Sequence, residues 1–303
     1  MSEEIDVVRR FNRSYTTRIG VLEESFLGMG MPLGPLRLLF EIGNGPATTQ
    51  ALRARLGLDS GYLSRLLRRL EGEGLVALTP DPADRRRRHV ELTAAGRDFW
   101  AELERRSEQR AAGLLAPLTE RQRTRLAAAL AEADLLVRAA TVTFETVDPL
   151  SPAARTAVEA YFTEIDGRIE GGFDAAGEAV KDAERLSAPD GAFVVALSDG
   201  TAVACGGVQT LPAVSAGDHV GEIKRMWVSP DWRGAGLGAR LLHHLEEVSA
   251  GLGHQLVRLD TNDSLTEAIG MYRRAGYREI VRYNDNPFAR LFFEKRLDRT
   301  DQA

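Results

Sequence analysis

Residues 229–242, SPDWRGAGLGARLL, decide how the second half of this 303-residue chain is read. Arg233 is followed by Gly234, Gly236 and Gly238, and an apolar helix pattern begins at Leu237. So much flexible backbone ahead of a helix has two readings. One is a tight turn of no further meaning. The other is a nest of backbone N–H groups at the positive end of a helix, built to hold phosphate oxygens. A Walker-type loop is excluded, because no Lys-Ser/Thr pair follows the glycines. A dinucleotide-binding turn fits poorly. Asp260 lies at a suitable distance, but the spacing is G-x-G-x-G and no second βαβ half follows.

The flanks supply the context. AFVVAL is turned by SDG into TAVACGGVQTL, a hairpin, and VGEIKRMWVS reads as a third strand. Beyond the glycines come a helix over Leu237–Ala250, a strand in QLVRLDTN, a helix in SLTEAIGMYRRAGY, and a closing strand pair in REIVRY and RLFFEKRL. Helices are expected over about 152–169 and 177–187. These elements predict an α/β layer with a mixed sheet.

Residues 142–297 resemble the GNAT superfamily of acetyl-CoA-dependent N-acetyltransferases. Arg233, Gly236 and Gly238 match its R/Q-x-x-G-x-G/A motif. The resemblance implies acetyl-CoA as cosubstrate, its pyrophosphate surrounded by backbone N–H groups of residues 234–238, and a mostly antiparallel sheet. It implies that the strand Glu222–Val228 splays from its neighbour, with Met226 and Val228 facing the pantetheine arm. Asn262 matches a cofactor contact, and Tyr272 the tyrosine that protonates the departing thiolate.

The chemistry is an amine attacking a thioester. An ammonium with a pKa near 10.4 must first lose a proton, so a general base helps. Glu222 is the candidate, acting through a water because its reference pKa is far below that of the amine: strand alternation puts Glu222, Lys224, Met226 and Val228 on one face. The alternatives are a structural ion pair for Glu222 and core packing for Tyr272. His243, His244 and Cys205 read as packing or surface residues.

The first half has a different pattern. Residues 3–27 carry apolar side chains at helical spacing, GMGMPLGPLR breaks the helix, and a short helix covers Leu36–Ile42. Thr48 caps a helix over 49–56, and Asp59 or Ser60 caps the next, whose Leu63, Leu66, Leu67 and Leu70 form one stripe. LVALTPDPADRRRRHVELT then reads as strand, turn, strand, and two long helices follow. Helix, turn, helix, hairpin is a winged helix-turn-helix. Its second helix exposes Ser64, Arg65, Arg68 and Arg69, suited to base edges and phosphates. The hairpin tip carries Asp84, Arg86 and Arg88 within an arginine run suited to a minor groove. Between Arg53 and Arg88 nine arginines face five acids, so the basic patch is local. A solvated arginine face is the alternative.

Residues 5–140 resemble the MarR family of transcriptional regulators, on LRARLGLDSGYLSRLLRRLEGEGLVAL and DPADRRRRHVELTAAG. Asp84 and Arg86 match its wing-tip Asp-x-Arg. The resemblance implies a homodimer held by the first and last helices, reading double-stranded operator DNA.

The expected architecture is therefore multidomain. A mainly-α winged helix domain, residues 1–143, precedes an α/β acetyltransferase domain, residues 144–303. The amphipathic start reads as no secretory leader, and no run suits a membrane span. One cysteine leaves no disulfide or cysteine-rich metal site, and a cytoplasmic protein is expected. Residues 1–145 carry a net charge of +2, and the rest −7. Two function classes remain open: a working enzyme on a small amine or amino acid with a DNA-binding partner domain, or a transcription factor whose second domain only senses acyl-CoA. The lysines are Lys181, Lys224 and Lys295. The enzyme half thus has no lysine to acetylate in the DNA-binding half. RIEGGFDAAGEA and VRYNDNPFARLFFEK are the candidate acceptor segments, with Arg282 or Arg290 to hold a substrate carboxylate.

Overall fold

The computed structural model describes residues 2–45, 47–80, 88–168, 183–212 and 219–297. The chain divides into two compact units, Met1–Ala129 and Leu130–Ala303. The division falls inside a helix that begins at Glu120; the boundary expected at 143/144 lies at that helix's far end.

In the first unit, α1 (Ser2–Ile19) is amphipathic yet has no buried residue, with Ile5, Val8, Phe11 and Tyr15 exposed. It stops eight residues earlier than the periodicity suggests, because Gly20 takes a left-handed φ of +78° and turns the chain. α2 (Leu33–Gly43) and β1 (Ala47–Thr48) follow. Thr48 caps α3 (Thr49–Leu56), its hydroxyl accepting from the Ala51 amide at 3.1 Å. Asp59 caps α4 (Ser60–Gly72), accepting from the Tyr62 amide at 2.8 Å. Leu63, Leu66, Leu67 and Leu70 of α4 are buried against Leu36, Leu39 and Leu52. β2 (Val76–Pro80) pairs antiparallel with β3 (Arg88–Leu92), and β1 adds to the other edge of β3. α5 (Ala94–Leu115) and α6 (Glu120–Thr141) are the long helices.

In the second unit, β4 (Thr143–Val147), β5 (Gly191–Ser198), β6 (Thr201–Thr210), β7 (Val220–Val228), β8 (Leu256–Thr261), β9 (Arg278–Ile280) and β10 (Leu291–Arg296) form one sheet of order β4-β5-β6-β7-β8-β10-β9. Among the described residues, only the β7–β8 pairing is parallel. α7 (Pro152–Asp166) covers one face, packing Ala154 and Ala157 against Phe193, Val195 and Cys205. α8 (Leu237–Gly251) and α9 (Thr266–Arg274) cover the other, where Leu237, Leu241 and Leu245 meet Ile223, Val257 and Phe293. The expected helix over 177–187 lies mostly outside the described residues. The expected strand REIVRY is only three residues long; from Val281 the chain leaves the sheet as a loop that returns at Leu291.

Candidate functional site

Pairing between β7 and β8 stops at Glu222–Arg258. Beyond it, residues 223–228 and 259–261 diverge, and a cleft of about 600 Å³ opens between them. Parallel strands share slanted hydrogen bonds, so the divergence leaves backbone groups on both strands without ladder partners across the gap. The cleft runs on to the glycine turn. Gly234 and Gly236 have φ of +88° and +75°, a conformation that turns the backbone sharply at the start of α8. A Cβ on Gly238 would lie 3.2 Å from the Met271 sulfur, so the helix start and α9 approach closely there. The first amides of α8 have no intrahelical partner and point out of its positive end.

β7 carries a break that alternation does not anticipate. Arg225 has φ +55°, and the β6–β7 register shifts between Cys205 and Gly207. This is a β-bulge. Ile223, Met226 and Val228 consequently pack in the core beneath α8, while Trp227 packs on the α7 side. Glu222 and Lys224 therefore do not share a face with Met226 and Val228, which corrects the expected stripe. Met226 and Val228 do line the cleft.

Arg233 also lines the cleft. Its guanidinium donates to the Val228 carbonyl at 2.9 Å and to Glu164 of α7 at 2.6 Å. Trp227 Nε1 donates to the same carboxylate at 2.8 Å. Burial acts to raise the pKa of Glu164, but the bonds from Arg233 and Trp227 prevail and hold it below the usual carboxylate range. Arg233 thus fastens the end of β7 to α7. Asn262 lines the cleft as well, and its side chain secures two turns: Nδ2 donates to the Phe288 carbonyl at 2.8 Å, and Oδ1 accepts from the Ser264 amide at 3.0 Å.

Tyr272 projects from α9 into the cleft and is only 7% exposed. Burial, then the charges of Tyr161 and Asp260, push its phenol well above its ordinary pKa. It stays a neutral proton donor across the physiological range.

Glu222 is buried, 2% exposed, and does not line the cleft. Gln209 donates to Oε2, and Tyr283, Lys224 and Asn284 donate to Oε1 at 2.8, 3.0 and 3.0 Å. A carboxylate so filled has little room to take a proton directly from a substrate, and the ion pair with Lys224 that the sequence also allowed is present. Lys224 also pairs with Asp260 of β8 at 2.9 Å. Both Lys224 and Asp260 line the cleft.

Sequence reasoning missed this polar wall. Glu222 meets Tyr283 and Asn284 across 60 residues of chain, which no local pattern reports. It also missed Tyr161, Glu164, Ile165 and Arg168, which line the cleft at i, i+3, i+4 and i+7; that helical stripe was available as a signal. Arg282 donates to the carbonyls of Asn284, Asn286 and Ala289, which organises the loop, and it does not line the cleft. Arg290 is exposed and does not line the cleft. His243 and His244 also lie outside the cleft, His244 stacking on Phe144.

In the first unit, Ser64, Arg65, Arg68 and Arg69 are all exposed on the face of α4 opposite its leucines. Arg88 is exposed at the start of β3. Asp84 and Arg86 lie outside the described residues.

Among known proteins, a family model described as "Acetyltransferase (GNAT) family" matches residues 157–277, and one described as "MarR family" matches residues 29–87. An "IAA acetyltransferase" of Azospirillum brasilense is 31% identical over 159 residues, spanning 52% of this chain and 98% of that protein. An uncharacterized N-acetyltransferase of Schizosaccharomyces pombe is 32% identical over 106 residues, 35% of this chain and 63% of that protein. Among solved structures, a GNAT-family acetyltransferase of Staphylococcus aureus has a TM-score of 0.44 at 17% identity, covering 52% of this chain and 100% of that one. A mutant MarR from Escherichia coli has a TM-score of 0.38 at 24% identity, covering 41% and 93%.

Proposed function

The chain belongs to the GNAT acetyltransferase family and carries a MarR-family domain ahead of its acyltransferase domain, and on that premise we propose that it transfers the acetyl group of acetyl-CoA to a small primary amine or amino acid. The observation that carries this reading is the divergence of β7 from β8 after Glu222–Arg258, leading directly to the glycine turn.

The residues present suit acetyl-CoA. The turn at Gly234–Gly238 offers outward amides, with no Cβ to crowd a pyrophosphate at Gly234, Gly236 or Gly238. The freed backbone at Met226 and Val228 suits the amide groups of a pantetheine arm. Acetyl-CoA supplies the activated acetyl group as a thioester. The chain's own residues do the rest: the turn holds phosphate, β7 orients the arm, Asn262 fixes the cleft's far edge, and Tyr272 delivers a proton to the departing sulfur. Lys224 and Asp260 form the polar side of the cleft, with Glu222 buried behind them.

The first unit binds an operator in double-stranded DNA as a homodimer. The exposed arginines of α4 support the DNA contact. The exposed apolar side chains of α1, and Leu126 of α6, support a self-association surface. No helix among the described residues is long and apolar enough to cross a membrane; we place the protein in the cytoplasm.

Thiol release from acetyl-CoA by the purified chain, against amino acids, arylalkylamines, polyamines and a lysine peptide, tests the enzyme reading. Turnover with one class supports it and names the substrate. Acetyl-CoA binding without turnover on any amine moves the function to acyl-CoA sensing.

A further inference from the structure

The polar wall of the cleft carries an excess of negative charge. Glu222, Lys224 and Asp260 sum to −1, and their side chains are only 2, 19 and 8% exposed. A charge so withdrawn from water calls for a counter-charge. The unmet acceptor capacity of the trio is concentrated at one atom. Both oxygens of Glu222 hold donors, as described above. Asp260 Oδ2 takes Lys224 at 2.9 Å and Asn284 at 2.5 Å. Asp260 Oδ1 takes Asn286 alone, at 3.2 Å.

Position singles out the same residue. Asp260 lines the cleft and Glu222 does not. Asp260 lies two residues past the last β7–β8 pair, within the divergence. The titratable groups around it are Lys224 and Glu222 of β7, Tyr161 of α7, Tyr272 of α9 and Tyr283 of the loop, with Arg225 of β7 against Tyr161 and Arg258 of β8 against Tyr283. Lys224 is the cation paired with Asp260 itself, and it engages Oδ2, leaving Oδ1 with Asn286 as its one donor among the described residues.

We infer that Asp260 receives the acceptor as a cationic primary amine at Oδ1 and takes its proton, while Glu222 is a positioning residue that fixes Lys224 and the 281–290 loop. The inference rests on the acetyl-transfer reading. The ammonium N–H bond breaks, and its proton goes to Asp260. The freed lone pair forms the C–N bond to the acetyl carbon as the C–S bond breaks. The sulfur takes the Tyr272 proton, and the second proton lost by the nitrogen restores the phenol.

The experiment is steady-state kinetics of the full chain from pH 6 to 10 with its best amine, for wild type, Asp260→Asn and Glu222→Gln, with acetyl-CoA affinity measured by calorimetry. Asp260→Asn is expected to lower kcat/KM about 100-fold near pH 7, within the usual range for a lost general base. Its log kcat/KM then climbs with unit slope as free amine accumulates, toward the amine pKa near 10.4, while acetyl-CoA affinity stays within about twofold. A purely structural role lowers activity equally at every pH. Glu222→Gln is expected to raise the amine KM and keep the wild-type pH profile. Should Asp260→Asn fail to fold, Asp260→Glu is expected to keep the wild-type profile and cationic-amine preference. Loss of that profile in the charge-preserving variant, near-normal or pH-independent behaviour of Asp260→Asn, or a base-loss profile in Glu222→Gln overturns the inference with acetyl transfer intact. No turnover by wild type on any amine overturns the acetyl-transfer reading and this inference with it.

Discussion

Gly236→Ala separates the structural role of the glycine turn from its proposed ligand role. Gly236 caps α8 with φ +75° and ψ +3°, and an added Cβ meets no atom within 4 Å. Crowding inside the fold is therefore absent, and the structural cost is the left-handed backbone alone, about 1–2 kcal/mol. For a unit of this size each kcal/mol lowers Tm by about 2–4 °C. The far end of the same helix offers a matched control. Gly253 has φ +89°, and its added Cβ also meets nothing, so Gly253→Ala carries the same strain away from the cleft. The difference lies in the ligand. A methyl group at 236 stands among the amides that would face the pyrophosphate, and loss of one charge-assisted hydrogen bond costs about 1.5–3 kcal/mol, or roughly 10- to 100-fold in Kd. Differential scanning fluorimetry and calorimetry with acetyl-CoA read the two quantities. Equal loss of Tm in both variants, with weakened binding only in Gly236→Ala, is the expected result. Equal acetyl-CoA affinity in the two would refute the phosphate-nest argument.

Tyr272→Phe is expected to cut kcat at least about tenfold with little change in acetyl-CoA KM, and an unchanged kcat removes Tyr272 from proton transfer. Burial, with a contribution from His219, lowers the pKa of His254. Its neutral ring bridges the Ser249 and Thr210 hydroxyls at 2.9 Å each. The unfolded chain therefore takes up this proton more readily than the native one. Stability present above pH about 6.5 falls as the pH drops through that value toward the lower native pKa. Urea melts at pH 7.5 and 5.5 check this, and His254→Gln is expected to shrink the difference. Burial pushes the Cys205 thiol up to about 12, so a thiol reagent at pH 8 is expected to react only on unfolding; prompt reaction with the native protein contradicts the burial described.

What was legible in the sequence was mostly local. Caps at Thr48 and Asp59, the leucine stripe of α4 and the glycine turn are set within a few residues, and each appears where the pattern puts it. The β7–β8 divergence matched what the family resemblance implied. Periodicity misled at α1, since Leu22 and Phe26 prolong the apolar pattern beyond Gly20, and the backbone conformation of that glycine overrides it. Alternation misled at Arg225, because a one-residue bulge inverts every side chain after it. The surroundings of Glu222 were illegible for another reason. The pair with Lys224 was among the readings the sequence allowed, but the donors from Gln209 of β6 and from Tyr283 and Asn284 of the 281–290 loop converge on it only after the sheet is assembled. Asp260, read from sequence only as a spacing match to a different nucleotide fold, takes its place in the cleft by the same long-range assembly.

Lys224 bears on chemoselectivity. It is a primary amine lining the cleft beside the proposed reaction centre, and thus a built-in rival to the acceptor. Burial alone would lower its pKa and favour the nucleophilic form. The charges of Glu222 and Asp260, and their hydrogen bonds, outweigh burial and raise its pKa. Its nitrogen lone pair therefore stays bound to a proton, and the cleft can activate a visiting amine without consuming its own. Removing both carboxylates would turn this inert strut into a suicide substrate, visible as a single acetyl group on residue 224.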